Sequence, residues 1–136
     1  MSAVLVFALV LLSLTCVTGT ISDACLTCIC KQESGCRAIG CRMDGGSQSC
    51  GYFQIKEAYW IDCGEPGDSW EECADNYTCA AICVRNYMRR YSGNRGCKEN
   101  CKSYARLHNG GPRGCTKNVT LRYWEAVKRR GCNDNS

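Results

Sequence analysis

The stretch Cys25-Leu26-Thr27-Cys28-Ile29-Cys30-Lys31-Gln32-Glu33-Ser34-Gly35-Cys36, with Met43-Asp44-Gly45-Gly46-Ser47-Gln48-Ser49-Cys50 shortly after it, decides how this chain is read. Ser22 and Asp23 can cap a helix running from Ala24 to about Ser34. Cys25, Cys28 and Ile29 share one face of that helix, and Gly35 supplies a stop. Beyond Gly40 the pattern changes. Gly45-Gly46 marks a turn, and Tyr52, Phe53 and Ile55 favour extended structure, so a β-hairpin or small sheet is predicted between Gly40 and Ile55.

Cysteine sets the wider frame. The chain has 136 residues, enough for one domain, and carries 15 cysteines. Residues 1–19 read as a removable signal peptide: Ala3 to Leu12 is uncharged and apolar, Leu14 to Val17 extends the run, and Val17-Thr18-Gly19 offers small residues for cleavage. No Lys or Arg precedes the apolar run, which leaves a membrane anchor as the competing reading, although the run is short for a span. Removing the leader, with its Cys16, leaves residues 20–136 as a single domain with an even set of cysteines. Such density indicates an oxidising, extracellular setting, where bridges reinforce a core poor in large apolar side chains. Zinc is the alternative use of Cys25…Cys28 and Cys97…Cys101, but the single histidine is His108 and each mature cysteine can find a partner. No metal and no cofactor is expected.

Downstream, Glu57 to Ile61 reads as a short helix before the Gly64-Glu65-Pro66-Gly67 loop. Ser69-Trp70-Glu71-Glu72 has capping-box spacing and would open a helix to about Tyr91, with Cys79, Ile82, Cys83, Asn86 and Tyr87 along one side. Further helices are predicted from about Cys97 to Leu107 and from about Leu121 to Arg129. The sum is an α+β domain, mostly helical, with a small antiparallel sheet after the first helix. The net charge of +4 lies wholly outside the leader, crowded at Arg85 to Arg95 and Lys128 to Arg130. It suits an acidic polymer such as bacterial wall, glycosaminoglycan or nucleic acid, and equally a solvated face that binds none of them.

Two carboxylates could carry chemistry. Glu33 sits at the predicted C-terminal end of the first helix, where the helix dipole favours the protonated acid. Apolar neighbours would raise its pKa further and make it a general acid. Asp44 opens the Gly45-Gly46 turn, where amides and hydroxyls such as Ser47 can hold a carboxylate ionised. One protonated and one ionised carboxyl across a cleft is what glycoside hydrolysis needs. An exposed helix-end glutamate and a turn aspartate satisfying its own backbone are the ordinary alternatives, and the spacing alone does not choose.

The words that surround these residues resemble the invertebrate-type (i-type) lysozymes, also called the destabilase family. The resemblance runs from Cys25 to Cys36, through Met43 to Lys56 and Tyr59 to Gly64, and resumes at Tyr87 to Tyr91 and Tyr104 to Cys115, covering almost all of the chain beyond the leader. It implies a lysozyme-like fold and cleavage of the β-1,4 bond between N-acetylmuramic acid and N-acetylglucosamine in bacterial peptidoglycan, for antibacterial defence or digestion. Glu33 then matches the family's proton donor, and Asp44 its nucleophile or transition-state stabiliser. The family's sugar-contacting segments fall on Lys56, Glu57, Ala58, Tyr59, Trp60, Ile61, Asp62, Tyr87, His108, Asn109 and Gly110. For Tyr59, Trp60 and Tyr87 the competing role is core packing.

Some members of the family also cleave isopeptide bonds between glutamine and lysine side chains. By resemblance that activity would fall on Ser49 with His108 or Lys56 as base; a buried structural serine is the alternative, because a serine nucleophile needs a base within hydrogen-bond reach. A non-enzymatic, basic antimicrobial or wall-binding protein is the remaining reading. No nucleic-acid partner and no stable membrane association are expected. The sequons Asn76-Tyr77-Thr78 and Asn118-Val119-Thr120 fall in or near predicted helices.

Overall fold

The computed structural model describes residues 20–93 and 96–136. The predicted leader therefore lies outside the described residues, as does Arg95 of the basic run. The first helix, α1 (Asp23–Ser34), forms as its punctuation dictates: the Ser22 hydroxyl accepts from the Cys25 amide at 3.0 Å, and Gly35 closes the helix in the left-handed region at φ 69°. Cys25, Leu26, Cys28, Ile29 and Cys30 are buried along one side, which leaves Glu33 on the last turn.

The chain then makes a two-stranded antiparallel hairpin, β1 (Cys41–Asp44) and β2 (Ser47–Cys50), pairing Asp44 with Ser47 and Cys41 with Cys50. Gly45 and Gly46 both have positive φ, the requirement of a two-residue hairpin loop whose twist matches the strands. The sheet stops at Cys50. Tyr52 and Phe53, predicted as extended, lie instead in a tight turn that brings Ile55 back to bridge Cys50. Gly51 begins that turn at φ 73°, and a Cβ there would stand 1.8 Å from the Ala74 carbonyl oxygen. Only glycine fits, and the close approach turns Phe53 into the core rather than along a strand.

Helix α2 (Glu57–Asp62) matches the expected short helix. The single helix predicted from Ser69 to Tyr91 is two: α3 (Trp70–Ala74), capped by Ser69 as its spacing indicated, and α4 (Tyr77–Tyr91), capped by Asn76. The Asn76 carboxamide accepts from the Cys79 amide at 3.0 Å and so starts a new helix rather than continuing the old one. The Cys73–Cys79 disulfide spans the break. Ile82, grouped by sequence with Cys83 and Tyr87 along one side of that helix, is 47% exposed; Ala80, Ala81, Cys83, Val84, Tyr87 and Met88 face inward. Helix α5 (Cys101–Gly110) starts later than predicted because Asn100 is its cap, while Cys97 is held in a loop by Cys115. A 3₁₀ turn (Gly114–Thr116) and α6 (Val119–Lys128) complete the order.

The result is a disulfide-rich α+β domain, mostly helical, with Trp124, Phe53, Leu26, Ile29, Met88 and Leu107 in one core. All fourteen cysteines beyond Cys16 form seven bridges. Cys25–Cys101 ties α1 to α5, Cys28–Cys132 ties it to the C-terminal segment, and Cys63–Cys83 ties the end of α2 to α4. The bridges that close long loops restrict the unfolded chain most, typically by about 2–4 kcal/mol each. They fix the helices between which the cleft opens. Among the described residues, no helix is long and apolar enough to cross a membrane.

Candidate active site

A cleft of about 470 Å³ runs between the end of α1, the hairpin, α2, α5 and α6. Glu33 and Asp44 both line it, together with Lys56, Ala58, Tyr59, Asp62, Tyr87, His108 and Asn109.

Glu33 reaches the cleft because Ser34, the last residue of α1, is pinned. The Ser34 hydroxyl donates to the Tyr52 carbonyl at 2.7 Å and accepts from the Arg37 amide at 3.0 Å. The Glu33 side chain is 21% exposed. Burial raises its pKa from 4.5 to about 7; the hydrogen bond from Tyr123 opposes that rise, and the nearby Asp44 charge adds to it. The Tyr123 hydroxyl donates to Glu33 Oε1 at 2.6 Å. The upward pKa shift expected at the helix end is therefore present, with desolvation as its main cause.

Asp44 occupies the opposite environment. It ends β1 before the Gly45-Gly46 loop, and its side chain is 72% exposed. The expected partner, Ser47, does not bond the carboxylate. Ser49 donates to Asp44 Oδ2 at 3.4 Å, and the Lys56 ammonium stands 3.7 Å from the same oxygen. Lys56 is steadied by the Asp44 carbonyl at 2.8 Å and the Ser47 hydroxyl at 2.7 Å. Ser47 thus serves Asp44 indirectly, by holding its counter-ion.

His108 lies beneath Glu33. Its Nε2 is 2.8 Å from the Phe53 carbonyl, an obligate acceptor, so Nε2 carries the proton and Nδ1 accepts from Tyr59 Oη at 3.0 Å. Burial lowers its pKa to about 4, against the opposing hydrogen bond to Phe53, so the ring is neutral near pH 7. Glu33 Oε1 is 3.6 Å from Nε2. Tyr59 stacks flat on Tyr87, with centroids 3.7 Å apart and planes 7° from parallel. Asp62 accepts from Tyr91 at 2.9 Å, and Arg90 donates to its carbonyl at 3.0 Å.

The remaining sequence-predicted positions divide. Trp60, Ile61, Glu57 and Gly110 do not line the main cleft. The Trp60 indole donates to the Pro66 carbonyl at 2.9 Å and packs on the core, and Ile61 faces solvent. Glu57 borders an adjoining cavity of about 410 Å³ shared with Lys56, Ala58 and Trp70. Gly110 gives its carbonyl to Lys117. Ser49 is buried and bonded to Asp44; it makes no hydrogen bond to Lys56 or His108. Sequence reasoning missed Tyr123, Gln32, Gln54, Gly111 and Pro112 in the cleft wall. Tyr123 had a signal: with Thr120, Trp124 and Val127 it follows helical spacing on one side of α6. Its partner 90 residues away left no trace in that spacing.

A carboxyl whose pKa is raised by burial, sharing a groove with an exposed carboxylate, is the pairing that glycoside hydrolysis requires. The destabilase family profile matches residues 22–130. The chain is 74% identical over 137 residues to a lysozyme of Ostrea edulis, covering 100% of both chains. It is 54% identical over 116 residues to an invertebrate-type lysozyme of Ruditapes philippinarum, covering 84% of this chain and 85% of that one. Among solved structures, an inhibitor-bound lysozyme from Meretrix lusoria superposes with a TM-score of 0.83 at 58% identity, covering 88% of this chain and 98% of the other. This chain belongs to the destabilase family of invertebrate-type lysozymes.

Proposed function

We propose that this protein hydrolyses the β-1,4 bond between N-acetylmuramic acid and N-acetylglucosamine in bacterial peptidoglycan, with Glu33 as general acid and Asp44 as nucleophile or stabiliser of the oxocarbenium-like centre. The observation that carries the reading is the contrast within one cleft: a Glu33 carboxyl pushed up to about 7 opposite an exposed Asp44.

Protonated Glu33 delivers its proton to the glycosidic oxygen as the C1–oxygen bond breaks. Positive charge develops at C1, where the Asp44 carboxylate stabilises it or closes on it. Glu33, now a carboxylate, takes a proton from water as that water adds to C1, breaking the C1–Asp44 bond where one has formed and returning Asp44 as a carboxylate, and the acid is restored. Lys56 and Ser49 hold Asp44 in place for this step. Tyr59, Tyr87, Asn109 and Asp62 line the groove where sugar rings and N-acetyl groups would lie. Secretion after loss of residues 1–19 accords with the seven bridges, and the net charge of +4 favours residence on an acidic wall.

Clearing of a bacterial wall suspension tests the reading. Glu33→Gln and Asp44→Asn should each lower it by about two to three orders of magnitude while the circular dichroism spectrum stays that of the native fold. Full activity in either variant would remove that residue from the mechanism. Bacterial killing retained by the double variant would favour the non-enzymatic, wall-binding reading instead.

A further inference from the structure

The two oxygens of Glu33 are not equivalent, and the asymmetry comes from another helix. Oε1 receives the Tyr123 hydroxyl at 2.6 Å and lies 3.6 Å from the protonated Nε2 of His108. Among the described residues, no protein group bonds Oε2. We infer that Tyr123 is a positioning residue for the acid: by donating to Oε1 it reserves Oε2 as the oxygen that carries the proton and presents it to the glycosidic oxygen.

The Tyr123 O–H dipole points at Oε1 while the His108 Nε2–H is committed to the Phe53 carbonyl, so a proton placed on Oε1 would face the phenol donor; placed on Oε2 it meets no protein donor. The phenol is well suited to remain the donor. Its surroundings hold its pKa well above 10, through burial first and the Glu33 charge second. Its position is also fixed. Helix α6 packs on α1 and α5, and the neighbouring Trp124 is fully buried. The groups facing the Glu33 carboxyl are Tyr123 from α6, His108 from α5, Tyr59 from α2 and Asp44 from β1. His108 is neutral near pH 7, so Tyr123 is the hydrogen bond that favours the charged form of Glu33.

This inference rests on Glu33 being the acid, so its test has a readout that does not use activity. In protein labelled with ¹³C at glutamate side-chain carboxyls, the Glu33 titration is followed by NMR in wild type and in Tyr123→Phe, beside kcat and KM on a soluble peptidoglycan oligosaccharide. Removing the phenol should move the Glu33 titration and the alkaline limb of the rate profile to higher pH. It should lower kcat by about tenfold, since an oriented hydrogen bond to a charged group has roughly that weight, and leave KM within about twofold. A fluorinated tyrosine at position 123, a stronger donor of the same shape, should move the titration the other way, and it serves equally if Tyr123→Phe folds poorly. An unmoved Glu33 titration, or a loss confined to KM, would overturn the positioning role. Activity retained in Glu33→Gln would instead overturn the acid assignment itself.

Discussion

Glu33 and Asp44 share a cleft and almost nothing else. Glu33 ends a helix tied by two long-range disulfides, lies mostly out of water, and meets a phenol from α6 and an imidazole from α5. Asp44 ends a short strand in an exposed hairpin, and its partners come from within twelve residues, Ser49 and Lys56. Long-range packing makes the first carboxyl hold its proton, whereas the second keeps its contact with water and a cation. The same functional group thus meets two environments that differ chiefly in burial, and the two halves of the site should respond differently when disturbed.

The largest separation should come from removing each carboxyl. Glu33→Gln is expected to lower the rate of wall lysis by about 10³-fold or more, near the upper range for loss of a general acid. Asp44→Asn should lower kcat by a comparable or somewhat smaller factor, about 10²–10³, because the amide keeps its place but loses the charge opposing the developing cation. The alkaline limb of wild type should fall near pH 7, where Glu33 loses its proton. A limb that Glu33→Gln leaves in place, in residual activity, would assign it to another group.

The partners of Asp44 should matter less than the carboxylate itself. Lys56→Met is expected to reduce kcat by no more than about tenfold, as befits an ion pair that is largely exposed. Ser49→Ala should reduce lysis by a few-fold, because it removes the 3.4 Å hydrogen bond to Asp44. Turnover of a γ-glutamyl-lysine substrate, lost in Ser49→Ala while lysis persists, would give Ser49 a separate chemistry and break the view that it serves Asp44.

The smallest effect is on stability. Folded Glu33 has a raised pKa, so the native state binds more protons between pH 4.5 and about 7 and stability falls as pH rises through that window. Folded His108 has a lowered pKa, so the unfolded state binds more protons between about 4 and 6.5 and stability rises with pH there. The two slopes, each up to about 1.4 kcal/mol per pH unit, nearly cancel where they overlap. Glu33→Gln should uncover the His108 slope, making denaturant unfolding free energy rise from pH 4 to 6.5 where wild type is nearly flat.

Much of this was legible in local sequence. Ser22 and Gly35 bounded α1, Gly45-Gly46 set the hairpin, Ser69 capped α3, and the even set of cysteines closed without remainder. Each is a short-range device whose geometry depends on a few neighbouring residues. The misreadings share the opposite property. Tyr52 and Phe53 have strand propensity, but Gly51 packs against the Ala74 carbonyl and bends them into the core. Ser69 to Tyr91 has helical spacing throughout, but the Asn76 cap divides it.

The amino-acid sequence by itself determined the first helix, the hairpin, the even set of cysteines and the family, and it singled out the two carboxylates. The tertiary structure decided the surroundings of those carboxylates. A helix end and a turn only bias a carboxyl group, whereas a pKa near 7 requires water to be excluded from several sides at once. Those sides come from α1, α5 and α6, brought together by packing and by disulfides that no local spacing could pair.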